Sequence, residues 1–244
     1  ALPEDERPDV QFQFVTDEEI GGHRGSERLA AEGYTGELFI AAEPTDLGIC
    51  HQAKGVFWIT VHLQGTPGHG ARPWLCHNPL LDLQTGLARL QQRYPNPPQE
   101  VWRTTATPTG IVAGNSHNRV PDQVALKLDI RHLPEESPDD IQPFVEECFP
   151  GCRIEVVQRS YSLKTDPDHP LVRQVATIQA EVTGQAPRFF SEHFASDARY
   201  WSNLGVPAIC WGPSGGGMHA DDERLDPASV ELFYRLVHRL LREY

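Results

Sequence analysis

The chain has 244 residues, enough for one large domain or two small ones with a sizeable core. With 39% hydrophobic and 23% charged residues it has the composition of a globular protein, and a net charge of −13 argues against nucleic acid, which requires a basic face. No apolar run reaches the ~18 residues of a membrane helix, and no signal peptide is visible.

In Val10-Gln11-Phe12-Gln13-Phe14-Val15, β-branched or aromatic residues alternate with polar ones, the pattern of a strand. Thr16-Asp17-Glu18-Glu19-Ile20-Gly21-Gly22 follows, and open α/β sheets place ligand sites at such strand ends. Adjacent carboxylates repel, and burying them uncompensated is costly. They therefore face water in a solvated turn, or they gather a cation.

Gly25 to Gly33 reads as a short helix with Ser26 as N-cap and Gly33 as its stop. Leu38 to Ala42 is a continuous apolar run, expected of a strand buried on both faces, and it leads into Glu43-Pro44-Thr45. Strand, helix, strand makes a βαβ unit with parallel strands. Glu18, Glu19 and Glu43 are then expected on one edge of the sheet.

The rhythm changes near Ala53. Gly55 to Gln64 alternates as a half-exposed strand. Asn78 to Tyr94 is helical, with Leu80, Leu81, Leu83, Leu87 and Leu90 forming an apolar stripe. Trp102 to Val112 and Gln123 to Ile130 read as strands. Ser137-Pro138 opens a second helix, and Cys152 to Arg159 closes with a further strand. The order β-α-β-β-α-β is the ferredoxin-like split arrangement. It is placed as an inserted domain over residues 53–162, between two segments, residues 1–52 and 163–244, of a first domain.

The C-terminal segment returns to α/β. Pro170 to Thr183 is a helix stopped by Gly184, and Phe194 to Tyr200 opens another, capped by Ser196. Val206 to Trp211 is a short buried strand that leads into Gly212-Pro213-Ser214-Gly215-Gly216-Gly217-Met218-His219. A final helix from Asp226 to Tyr244 turns Val230, Leu232, Phe233, Leu236 and Leu240 to the core. The five cysteines, Cys50, Cys76, Cys148, Cys152 and Cys210, are scattered and read as reduced thiols of a cytoplasmic protein.

Strand ends are thus expected to deliver Glu18, Glu19, Glu43 and His219 to one place. Carboxylates with an imidazole are the ligand set of Zn²⁺ or Mn²⁺ hydrolytic sites. Ca²⁺ prefers six to eight oxygens, which His219 does not suit. The glycines before His219 allow close backbone approach to a substrate, and their N–H groups suit an anion.

The motifs T-D-E-E-I-G-G, A-E-P-T, G-T-P-G-H-G-A-R-P, N-R-V-P with D-I-R behind it, S-D-A-R and G-G-G-M-H-A-D-D-E occur in this order across nearly the whole chain. Together they resemble the dinuclear zinc amidohydrolase family of succinyl-diaminopimelate desuccinylase, acetylornithine deacetylase, aminoacylase and glutamate carboxypeptidase. The resemblance implies an α/β fold, a zinc-exopeptidase-like mixed sheet flanked by helices, with the inserted domain as lid and dimerisation element. It implies two Zn²⁺ ions, with Co²⁺ or Mn²⁺ as substitutes. Glu18 would be the general base, Glu19 and His219 would ligate one metal and Glu43 the other. His69 would reach the partner subunit's active site and steady an oxyanion. Asn118 would hydrogen-bond substrate, Arg131 would clamp its carboxylate, and Ser196 and Asp197 would lie at the substrate.

Each of these residues also has a plainer reading. Taken alone, His69 is a loop histidine, Arg131 a surface partner of Asp129, Asn118 a turn residue, and Asp197 with Arg199 a structural ion pair.

Two features depart from the family pattern. An H-x-D motif and a metal-bridging aspartate belong upstream of the acid pair, yet residues 1–17 hold no histidine. The chain is therefore expected to begin partway through the catalytic domain, to hold half of a dinuclear site, and to bind zinc weakly or not at all by itself. The second is Phe194-Ala195 before Ser196-Asp197, where relatives carry small glycine or threonine residues, which leaves the acyl specificity open.

The function implied is hydrolysis of an N-acyl amino acid at its amide bond, of deacetylase or desuccinylase type. The alternatives are a metallo-exopeptidase of the same fold acting on short peptides, or an inactive module serving dimerisation. A homodimer through the inserted domain is expected, with a small molecule as substrate.

Overall fold

The computed structural model describes residues 9–243. The first eight residues of the expected segment 1–52, and Tyr244 at the end of the last predicted helix, lie outside them. The elements in chain order begin with a 3-10 turn at Glu18–Ile20, α1 (Ser26–Ala31), β1 (Phe39–Ala41) and β2 (Ile49–Ala53). Then come β3 (Gly55–Gln64), β4 (Gly68–His69), α2 (Pro79–Arg93), β5 (Thr105–Val112), β6 (Arg119–Val120), β7 (Gln123–His132), α3 (Pro138–Cys148) and β8 (Arg153–Arg159). Last are β9 (Leu163–Lys164), α4 (Pro170–Thr183), β10 (Phe189–Glu192), α5 (Ala198–Asn203), β11 (Ala208–Cys210), β12 (Gly215–Gly216), β13 (Arg224–Leu225) and α6 (Pro227–Glu243). The chain divides into two compact units, Lys54–Ser162 and the remainder on either side of it.

In the unit that holds both chain ends, the sheet runs β1-β11-β2-β10, with β9 alongside β2. It is mixed: β1 is parallel to β11 and β10 to β2, whereas β11 and β2 are antiparallel. Alternation sorts its side chains. Ile49 and Ile209 join Val172, Val175 and Ile178 of α4 and Leu236 and Leu240 of α6 on one face. Cys50, Ala208 and Cys210 join Ala30 of α1 and Ala198 and Trp201 of α5 on the other. Each fully buried aliphatic side chain here stabilises the fold by about 1.5–3 kcal/mol. The α4 helix stops at Gly184, which takes φ 74°, a left-handed value that glycine adopts without Cβ strain.

Several expectations fail in this unit. Residues 10–15 form no strand. Their alternation is real, but no ladder partner flanks them among the described residues, and Phe12 and Phe14 are 66% and 91% exposed. A strand without a neighbour leaves its backbone groups to water and buries nothing. Ser26 is not an N-cap either: it is the first residue of α1, Gly25 precedes it, and its side chain faces the Asp197 carboxylate. In α6, Val230 is solvent-facing, whereas Leu236 and Leu240 are buried.

The other unit is a four-stranded antiparallel sheet in the order β5-β7-β3-β8, the ferredoxin-like arrangement. Phe57, Ile59, Val61 and Leu63 of β3 and Val124, Leu126, Leu128 and Ile130 of β7 face α2 and α3 at period two. Helix α2 starts at Asn78, whose side chain accepts from the Leu80 amide, with Pro79 in its first turn. Helix α3 starts with a reciprocal capping box between Ser137 and Asp140. The leucine stripe of α2 is narrower than its sequence suggests. Leu83 and Leu90 are buried, but Leu80 and Leu81, in the first turn, point to water. All five cysteines are free thiols, and among the described residues no helix is long and apolar enough to cross a membrane.

Candidate active site

The three consecutive acids separate into different tasks. The Asp17 carboxylate accepts from the amides of Arg24 and Gly25, at 2.8 and 3.1 Å, and so closes its own loop. Glu18 and Glu19 sit in the 3-10 turn, which the Gly21 amide closes on the Glu18 carbonyl at 2.8 Å. Gly21 and Gly22 follow with φ 103° and 67°. A Cβ on Gly22 would stand 2.5 Å from both carboxylate oxygens of Asp197, so only glycine fits.

Glu43 and the loop after Trp211 leave the sheet side by side, because β1 and β11 are parallel. The backbones there are in close contact: a Cβ on Gly212 would lie 2.2 Å from the Glu43 carbonyl oxygen. The glycine-rich run makes the β12–β13 hairpin and carries His219, itself left-handed at φ 61°. His219 Nε2 stands 3.7 Å from Glu19 Oε2, both side chains mostly exposed.

Below these lie buried polar groups. Ser196 is fully buried; it bonds the Glu43 carboxylate and the Cys210 thiol and accepts from the Ala198 amide at 3.3 Å. Asp197 is 4% exposed; it accepts from Arg199 Nη1 at 3.2 Å and faces Ser26, while its Oδ2 has no hydrogen-bond partner. Ser196 and Asp197, which the resemblance sets at the substrate, thus direct their polar atoms to Glu43, Ser26 and Arg199. Arg199 and Tyr200 both reach the Gly21 carbonyl. The sequence marked Arg199 only as an ion-pair partner and carried no signal for Tyr200.

Burial, and after it the proximity of like charges, dominates the electrostatics. Burial, and then the carboxylates of Glu43, Asp197 and Glu19, push the Glu18 carboxyl up to about 7. Burial, with Asp197 and Glu19 nearby, raises Glu43, against the hydrogen bond from Ser196. Glu18, Glu19, Glu43 and His219 therefore share one region, but not by the route read from the sequence. Among the described residues no strand precedes α1, so the expected βαβ crossover does not form; the acid turn is bonded onto the start of α5 instead.

Among the described residues, no group of three or more His, Cys, Asp or Glu side chains is arranged to hold a metal ion. The donor chemistry still fits a divalent cation. Carboxylates crowd around a single guanidinium, Asp197 Oδ2 is buried and unpaired, and an imidazole stands beside Glu19.

In the other unit, β4 pairs with β6, setting His69 opposite Arg119 and next to the Asn118 carbonyl, which accepts from the Gly70 amide at 2.8 Å. His69 Nδ1 accepts from the Ala71 amide at 3.0 Å, so the neutral ring carries its proton on Nε2, a donor facing away from its own backbone. The Asn118 side chain accepts from Ser116 Oγ at 2.8 Å. Arg131 is bound by Asp129 through Nε at 2.8 Å and Nη2 at 3.2 Å and lies over the Trp58 ring at 5.6 Å. The ion pair that the plainer reading proposed is present, and it occupies part of the guanidinium fork.

Comparison with known proteins adds a domain match and several relatives. Residues 51–149 match the M20-type peptidase dimerisation domain. A succinyl-diaminopimelate desuccinylase from Caulobacter sp. is 28% identical over the whole chain and 67% of its own length. A [LysW]-lysine/[LysW]-ornithine hydrolase from Saccharolobus solfataricus is 23% identical over 88% of the chain and 61% of its own length. The chain therefore spans roughly 60–67% of these two relatives. Among solved structures, aminopeptidase PepT from Bacillus cereus superposes with a TM-score of 0.78 at 22% identity, covering 94% of this chain and 62% of that one. That likeness shows the fold, a mixed α/β architecture with an inserted unit. The chain thus carries a peptidase dimerisation domain of M20 type over residues 51–149 and is similar in sequence to a succinyl-diaminopimelate desuccinylase, beside the convergence of Glu18, Glu19, Glu43 and His219.

Proposed function

We propose that this protein hydrolyses the amide bond of an N-acyl amino acid, of desuccinylase or deacetylase type, releasing a carboxylate and a free amine. The observation that carries the reading is the placing of half-buried Glu18 among Glu43 and Asp197, beside the Glu19–His219 pair. In this reading Glu19 and His219 hold one zinc and Glu43 takes part in holding a second, with Co²⁺ or Mn²⁺ as substitutes. Zinc supplies, when bound, a Lewis acid that polarises the amide carbonyl and activates water.

Glu18 removes a proton from the attacking water and returns it to the leaving amine. Glu19, its neighbour, is the one directed at His219 and would be the metal ligand, which would leave the Glu18 carboxyl free to act as base. His69 offers its Nε2–H to the oxyanion from the second copy of a homodimer formed through the inserted unit, a reading that the dimerisation-domain match supports. Asn118 hydrogen-bonds substrate, and Arg131 holds the substrate carboxylate with the portion of its fork that Asp129 leaves free. Five free thiols suit a cytoplasmic protein.

The test is release of amine from a panel of N-succinyl and N-acetyl amino acids, dipeptides and tripeptides, with Zn²⁺ or Co²⁺ added. Turnover of acylated amino acids, abolished by chelation, is the expected result. Turnover of peptides alone would make the protein a metallo-exopeptidase. No turnover of any member would leave a dimerisation module and end the hydrolase reading.

A further inference from the structure

We propose that Arg199 and Tyr200 are positioning residues that set the Glu18–Glu19 turn through one shared acceptor, the Gly21 carbonyl. Arg199 Nη2 donates to that oxygen at 2.7 Å, and the Tyr200 hydroxyl donates to it as well. A carbonyl has two lone pairs, and these two donors use both. Arg199 Nη2 also reaches the Tyr200 oxygen at 2.9 Å, and Nη1 binds Asp197 at 3.2 Å, so the two donors are held in register with each other. All three side chains are at least nine-tenths buried.

The turn cannot place itself. Its own bonds, Gly21 N to Glu18 O and Gly22 N to Asp17 O, both 2.8 Å, fix its shape but link it to nothing distant in the chain. The bonds from Asp17 to Arg24 and Gly25 are equally local. Hydrophobic anchorage is absent, since Ile20 is 79% exposed. Apart from the exposed Glu19–His219 contact, what ties the turn to distant parts of the chain among the described residues is the Gly21 carbonyl, bracketed by Arg199 and Tyr200, together with the close packing of Gly22 on Asp197. Charge-assisted hydrogen bonds of this kind are the stronger sort, and a lysine at 199 would lack the planar fork that spans Asp197 and Gly21 together. The functional consequence rests on the hydrolase reading. The general base and a metal ligand are consecutive residues on this turn, so a shift of about 1 Å there would cost roughly 100-fold in rate.

Amide hydrogen exchange by NMR on the metal-free 244-residue chain tests the positioning alone. In Tyr200→Phe, which keeps the ring, and in Arg199→Lys, which keeps the charge beside Asp197, the Gly21 and Gly22 amides are expected to exchange about tenfold faster. The core amides of Ile178 and Ile209 should not change. Unchanged exchange at Gly21 and Gly22 would overturn the proposal, and so would equal acceleration throughout, which marks a merely structural role. If Arg199→Lys does not fold, Tyr200→Phe decides. Where the wild-type protein turns over acylated amino acids, Tyr200→Phe should lower kcat by about tenfold or more with KM little changed. A wild type inactive on every substrate ends the hydrolase reading and leaves the exchange result standing.

Discussion

His219 Nε2 and Glu19 Oε2, from opposite ends of the chain, stand 3.7 Å apart on the open side of the site. That separation is close enough for one ion to contact both groups, yet no third ligand completes a cage among the described residues. Both side chains are mostly solvent-exposed, so little but the ion would order them.

Zinc binding by this chain is accordingly expected to be weak, and to depend on both groups. Isothermal titration with Zn²⁺ should show low affinity that falls by a further factor of about 10–100 in His219→Ala, using the loss of even an outer partner as a lower guide. Tight stoichiometric uptake of two ions by the 244-residue chain would contradict the arrangement described.

Glu18 is the group whose removal should be most costly to the reaction and least costly to the fold. Glu18→Gln keeps the volume but abolishes the base, so kcat on an acylated amino acid should drop by about 10²–10⁴ with KM nearly constant. Because its carboxylate is opposed by Glu43, Asp197 and Glu19, the variant should unfold in urea at the wild-type midpoint or above it at neutral pH. A large rise in KM instead would make Glu18 a binding group.

Gly86 sets the approach of α2 to α3. Alanine in a helix interior normally stabilises by about 1 kcal/mol relative to glycine. Here a Cβ would lie 2.1 Å from two ring carbons of Phe149 and 2.9 Å from the Cys148 carbonyl. Overpacking of a filled core costs about 1–3 kcal/mol, so the clash outweighs the helix gain. Gly86→Ala should therefore lower the unfolding midpoint; a rise would mean that Phe149 can move aside.

The cap of α3 gives a pH-dependent prediction. Ser137→Ala should destabilise the inserted unit by about 0.5–2 kcal/mol near neutral pH. The Ser137 hydroxyl, and then its backbone N–H, hold the Asp140 carboxyl below its ordinary value of 3.8. A depressed carboxyl contributes stability that is complete above its unfolded value and disappears as pH falls through the folded one. The difference between wild type and variant should thus be widest above pH 3.8 and narrow in stronger acid to what the Asp140 N–H to Ser137 Oγ bond alone contributes. Urea midpoints measured across that range check the sign.

Local signals carried much of this fold. Alternation in β3 and β7 follows the buried face of one sheet, and the cap at Ser137 and the stop at Gly184 were legible because capping and left-handed ends are decided by a few adjacent residues. The order of strands and helices in the inserted unit was legible for the same reason. The motifs also name the acids and the imidazole that the fold brings into one region.

Residues 10–15 show where such reading ends. Alternation records which side chains would suit a strand, but a strand needs a partner, and its partner is a tertiary fact. Leu80 and Leu81 continue the helical spacing but lie where no neighbouring element covers them. The site divides in the same way. By itself the sequence determined which groups are available: Glu18, Glu19, Glu43 and His219, with glycines at the positions that require them. Only the tertiary structure decided that the acid turn is carried by hydrogen bonds from Arg199 and Tyr200, not by a preceding strand, and that Arg131 is shared with Asp129. Spacing encodes the shape of one segment, whereas hydrogen bonds between segments distant in the chain depend on where the packed core brings their backbones.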